Sequence, residues 1–243
     1  MKDPRQAARE FAGALAATLG DRLRSVVLYG SVARGEAVPG VSDINVLVLL
    51  DRIDPAALRT AAPAARRWAD AGNTAPLLMA WSEWRRASDS FAVEFADMRD
   101  AHEVLHGDDP LDGLSIEPTA LRLQTERELR GKLLQLREGM LLAGERRREI
   151  GRLLMLALPS FVTYFRAVLR LAGRPAPLRS ESAIEEAAAL VEADPAPFLD
   201  VWRARVRRVP PSVPLDAPLV TGYYALAERT AGYVDALAQE REE

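Results

Sequence analysis

Residues 24–50 read RSVVLYGSVARGEAVPGVSDINVLVLL, and their pattern decides the fold. Val26, Val27, Leu28 and Tyr29 form a short apolar run with β-branched members that stops at Gly30, which predicts a strand. Gly30-Ser31 leads into Val32-Ala33-Arg34, where Ser31 is placed to cap a short helix. Gly35, Pro39 and Gly40 then punctuate a turn. From Asp43 to Leu50 the chain is almost continuously apolar, which predicts a second strand buried on both faces.

This local geometry carries chemistry. Gly30 has no side chain, so a ligand can approach its backbone. A helix start after it would offer free N–H groups and a positive dipole end, both suited to a phosphate. Asp43 and Asn45 are two apart on the expected strand and so share a face, where a carboxylate could hold Mg²⁺ against phosphates. Together these are the parts of phosphoryl or nucleotidyl transfer.

The stretch LYGSVARGEAVPGVSDINVLV resembles the signature of the DNA polymerase β nucleotidyltransferase superfamily. Gly30, Ser31, Arg34, Gly35, Ser42 and Asp43 match the pattern, and Asn45 stands where the family has a second Asp. The resemblance implies an α+β domain of layered strands and helices on a mixed sheet. It implies nucleotide contacts from Gly30, Ser31, Arg34 and Ser42. It also implies Mg²⁺ ligands and catalytic groups at Asp43, at Asn45 as a weak ligand, and at a third carboxylate on a neighbouring strand. Glu94, a charge inside the apolar run FAVEFADM, fits that third place, with Asp97 as its rival of opposite parity. Arg34 is open between touching a phosphate and bracing the motif turn.

Elsewhere the chain is ordinary. It has 243 residues, 49% hydrophobic and 28% charged, with a net charge of −3, which does not favour a nucleic-acid binder. The absence of cysteine excludes disulfides and thiol chemistry. His102 and His106, the two histidines, are expected four apart on one helix face in a structural role. Nearly all basic residues are arginine, so Arg203, Arg205, Arg207 and Arg208 read as a solvated helix face. No targeting segment is visible, and the apolar stretch Leu153 to Phe165 is too short to span a bilayer, so a cytoplasmic placement without membrane contact is expected.

Ala8, Phe11, Leu15 and Leu19 predict a helix over 4–20 closed by Gly20. A helix over 54–70 interrupted at Pro63, a strand over 75–81, a short helix capped by Ser82 and a strand over 91–98 follow. This alternation predicts a nucleotidyltransferase domain over 1–115. From Thr119 the periodicity is helical only, and 116–243 reads as an antiparallel bundle, with a helix over 150–172 broken or kinked at Pro159 and another opened by a Ser182–Glu185 capping box. In layout this is similar to the antibiotic nucleotidyltransferases, whose helical domain follows the catalytic one. The resemblance implies transfer of a nucleoside monophosphate from an NTP, ATP in the first place, to a hydroxyl of a small acceptor of the aminoglycoside type, with the bundle walling the acceptor cleft. The alternative is a nucleotide-binding or protein-interaction module, regulatory or antitoxin-like, its catalysis impaired by Asn45.

Overall fold

The apolar stripe of Ala8, Phe11, Leu15 and Leu19 is the buried face of α1 (Pro4–Leu19), and Gly20 at φ +52° closes it. The computed structural model describes residues 3–239 and divides the chain into two compact units, Met1–Glu117 and Pro118–Glu243.

In the first unit four strands form one mixed sheet, in the order β3-β2-β1-β4. β1 (Leu23–Tyr29) lies antiparallel to both β2 (Asn45–Leu50) and β4 (His102–Gly107), while β3 (Leu77–Ala80) runs parallel to β2. A parallel neighbour needs a crossover, and α2 (Pro55–Asp70) supplies it. Side chains alternate across the sheet. Val26, Leu28, Val46, Val48 and Leu50 face α1 and α2, where Phe11 stacks on Trp68 at 4.6 Å. Val27, Leu47 and Leu49 face the other way, against Trp84 of α3 (Trp81–Trp84) and Phe95 and Met98 of α4 (Ala92–Asp100). β1 and β2 are therefore covered on both sides, as their unbroken apolar sequences require.

Several expectations change. The run expected as a strand over 91–98 is α4, and the next sheet strand is β4, which carries His102 and His106. A short apolar run fits either element, and here Ala92, Val93, Phe95, Ala96, Asp97 and Met98 are all buried, on more than one face of the helix. Glu94 and Asp97 consequently stand on a helix packed over the sheet. Asp43 lies two residues ahead of β2, not within it. Pro63 and Pro159 do not end their helices, since α2 runs through Pro63 and α6 (Arg147–Leu171) through Pro159. Ser82 lies inside α3, whose N-cap is Ala80, and α7 (Ser180–Leu190) starts two residues before Ser182.

α2 is capped by Asp54, which accepts from the Ala57 N–H at 2.7 Å and from Arg22 at 2.6 Å. The Ala57 hydrogen bond, with help from Arg22 and Arg52 and against burial, lowers the Asp54 carboxyl to about 2. Its value in an unfolded chain is about 3.9. A depressed folded value means stability that is fully present above about pH 4 and lost as pH falls through 2. Asp54→Ala is therefore expected to melt below wild type at neutral pH, with the gap closing between pH 4 and pH 2. Thermal melts across that range check it, and a gap that stays constant would refute it.

The second unit is helical: α5 (Pro118–Ala143), α6, α7, α8 (Ala196–Arg207) and α9 (Pro218–Gln239). α6 is long and apolar enough to cross a membrane by length and composition, but it packs against all four other helices. Phe161 and Phe165 of α6 meet Phe198 of α8 and Tyr223 of α9 in one ring cluster, with Phe198 stacked on Tyr223 at 3.7 Å. An all-round apolar helix at the centre of a bundle satisfies the same sequence pattern as a span.

Candidate active site

β1 ends at Tyr29, and the chain reverses through Gly30 at φ +75°. That conformation suits glycine alone, and a Cβ here would meet the Asn45 amide nitrogen at 2.6 Å. Residues 31–35 form a hydrogen-bonded turn instead of the expected helix. The Arg34 N–H donates to the Gly30 carbonyl at 3.1 Å, and the Glu36 N–H to the Ser31 carbonyl at 2.9 Å. Among the described residues the N–H groups of Ser31, Val32 and Ala33 have no acceptor. Successive free amides in a turn form a concavity for an anion without needing a helix dipole.

Distant side chains brace this turn. Arg5 of α1 donates through Nη2 to the carbonyls of Val32 and Ala33, both at 3.1 Å, and through Nη1 to Glu103 of β4 at 2.5 Å. Arg9 also holds Glu103, at 2.7 Å, and chiefly that bond keeps the Glu103 carboxyl below its usual range. From the other side of the sheet, Asp97 of α4 accepts from Arg34 Nη1 at 2.8 Å, with both side chains nearly buried. Arg34 thus braces the turn, with Asp97 as its ion-pair partner. Nothing local in the sequence marks Arg5 or Glu103, or pairs Asp97 with Arg34, because their roles depend on which elements the sheet brings together.

The second half of the motif is differently built. Ser42 accepts from the Val38 N–H and donates its own N–H to the Val38 carbonyl, each at 2.9 Å, closing the loop before β2. Asp43 follows, exposed, and its side chain makes no hydrogen bond or ion pair among the described residues. Asn45 opens β2 opposite Tyr29 in the ladder. Burial, with the charge of Glu94 adding to it, pushes the Tyr29 phenol up to about 12. Glu94 on α4 is therefore felt at the strand end where Asn45 stands, although it is not on the neighbouring strand expected of a third carboxylate. His102, beside Tyr29 on β4, is tied through Nδ1 to the Met98 carbonyl at 3.0 Å and through Nε2 to Asp109 at 3.1 Å. That is a structural role, on a strand and not on a helix face.

Among the described residues no three His, Cys, Asp or Glu side chains converge as around a resident metal. Asp43 and the Asn45 amide oxygen are hard donors, one charged. Such a pair fits a Mg²⁺ ion that takes its remaining oxygens from water and a nucleotide's phosphates.

Residues 9–100 match the sequence profile described as a nucleotidyltransferase domain. Comparison with curated protein sequences finds no match. Among solved structures, the fold is similar to that of a spectinomycin adenyltransferase from Enterococcus faecialis, determined with ATP and spectinomycin. The likeness has a TM-score of 0.56 at 12% identity and covers 93% of this chain and 98% of that one. Residues 9–100 thus resemble a nucleotidyltransferase domain, and the fold, with a helical unit after that span, is similar to that of the adenyltransferase.

Proposed function

We propose that the chain moves a nucleoside monophosphate from an NTP, ATP first, to a hydroxyl of a small acceptor of the aminoglycoside type, in the cytoplasm. One observation carries this: a glycine turn with unengaged amides stands two strand ends from Asp43, an exposed carboxylate with no structural task. The similar adenyltransferase, solved with ATP and spectinomycin, supports the choice of both substrates.

In this reading the amides of Ser31 to Ala33 hold nucleotide phosphate oxygens, and Gly30 keeps the approach open. Asp43 and the Asn45 oxygen would hold Mg²⁺ arriving with the nucleotide, which when bound offsets phosphate charge. The acceptor hydroxyl oxygen bonds to the α-phosphorus, the bond from that phosphorus to the β-phosphate's bridging oxygen breaks, and pyrophosphate leaves. The hydroxyl proton passes to Glu94 as general base. Pyrophosphate release from Mg²⁺-ATP, measured with and without spectinomycin and related aminocyclitols, tests the proposal. Acceptor-dependent release supports it. ATP binding without release for any acceptor favours the second reading, a nucleotide-binding module, which the neutral Asn45 and the absence of converging acids among the described residues motivate.

Asn45 separates the two quantitatively. Asn45→Asp is nearly isosteric and adds a charge beside the proposed ion. A unit pair at about 4 Å interacts by about 4 kcal/mol at an effective dielectric of about 20, and desolvation and repulsion from Asp43 offset much of it. The variant is expected to gain more melting temperature from Mg²⁺-ATP than wild type does. Equal gains would mean that position 45 does not face the ion.

A further inference from the structure

Two adjoining cavities in the helical unit are lined with arginines. Arg148 and Arg152, one turn apart on α6, line a cavity of about 210 Å³ with Arg208, Val209 and Pro210. Across the shared Val209, Arg203 and Arg207 of α8 line a second, of about 600 Å³. The chain is built to bring them together. Gly151 is buried where a Cβ would come within 1.9 Å of the Pro211 carbonyl oxygen, so glycine alone lets the segment after α8 lie on α6. The Val213 N–H reaches the Arg147 carbonyl at 3.4 Å and ties that segment down. Arg208 itself stands at φ +59°, a left-handed conformation uncommon for a long side chain.

Several other arginines of this unit have acids. Arg130 pairs with Asp235 at 2.9 Å, Arg137 with Glu228 at 3.3 Å and Arg146 with Glu149 at 2.9 Å. Here they do not. Among the described residues the side chains of Arg148, Arg152, Arg207 and Arg208 have no ion pair, and the one acid in the two linings, Asp200, is held by Arg203 at 2.9 Å. Like charges gathered without counter-charge repel, and an anion between them removes that repulsion. The arginine fork matches phosphate oxygens two at a time.

We infer that this shelf binds a compact phosphoanion, two or more linked phosphoryl groups spanning the two cavities. No aromatic ring lines either cavity on which a base could stack, and the chain's net charge of −3 opposes an extended nucleic acid. The inference is independent of the nucleotidyl-transfer reading.

The probe is inorganic tripolyphosphate, titrated calorimetrically into the full chain in Mg²⁺-free buffer with a chelator. Wild type and Asp43→Ala are expected to bind alike, with affinity falling as salt rises. Arg148→Gln/Arg152→Gln is expected to bind at least tenfold more weakly with an unchanged melting temperature, since both side chains are exposed. No heat from wild type at millimolar tripolyphosphate, or undiminished binding by the double variant, would overturn the assignment. So would a single-stranded oligonucleotide that binds more tightly than tripolyphosphate at the same salt, which would reassign the shelf to nucleic acid.

Discussion

Asp43→Ala abolishes acceptor-dependent pyrophosphate release, by about a thousandfold or more in kcat/KM, and leaves the melting temperature of the free chain unchanged. The expected split follows from the surroundings of Asp43. Its side chain is exposed and engages no other described residue, so its removal breaks no contact of the folded chain. In the proposed mechanism that carboxylate acts on the ion and nucleotide that arrive from solution. A thousandfold corresponds to about 4 kcal/mol of transition-state stabilisation, within what one charged ligand to the reacting phosphates can supply. Binding of Mg²⁺-ATP should weaken as well, because the ion loses its one formally charged protein ligand of the Asp43–Asn45 pair. Retained activity in Asp43→Ala would remove Asp43 from the mechanism. A large fall in melting temperature would instead make it a structural residue of the loop before β2.

Arg166→Leu is expected to destabilise the helical unit by about 3 kcal/mol, a fall in its melting temperature on the order of 10 °C. Arg166 is 1% exposed on α6, deep in the bundle. Its guanidinium donates to the Pro177 carbonyl at 2.8 Å and the Leu178 carbonyl at 2.7 Å, and reaches the Ser180 hydroxyl at 3.4 Å. These bonds fasten the connection from α6 to α7. Leucine fills much of the volume but leaves the acceptors without their charged donor, and each such bond is worth about 1.5–3 kcal/mol. Arg166→Lys keeps the charge without the planar fork and should recover only part of the loss. Calorimetric melts of the three proteins decide it. A shift below about 2 °C in Arg166→Leu would mean that the connection holds without the arginine.

Local pattern was sufficient wherever one element explains its own residues. The stripe of α1, its glycine cap and the runs of β1 and β2 were legible because burial of one face, or of both, leaves its period in the chain. The same holds for α5 to α9, where the apolar spacing is helical throughout. The motif's glycine was legible as a place of close approach, and the structure adds that a positive φ and the Asn45 amide leave no room for a side chain there. FAVEFADM was not. Its apolar residues satisfy both periods over so short a run, and the choice went to a helix because β4 occupies the place beside β1.

The sequence by itself determined that a strand, a glycine turn and a second apolar strand lie in succession with Ser42 and Asp43 between, and that a helical unit follows. Only the tertiary structure decided what each polar side chain of the motif does. Arg34 went to Asp97 across a 63-residue separation, and Arg5 to the Val32 and Ala33 carbonyls and to Glu103, 98 residues away. Asp43 was left unengaged. The physical reason is that periodicity records which residues lose water, a property of one element. A charge finds its partner only where several elements meet, and the strand order that brings α1, β4 and α4 around one turn is not written in any of them.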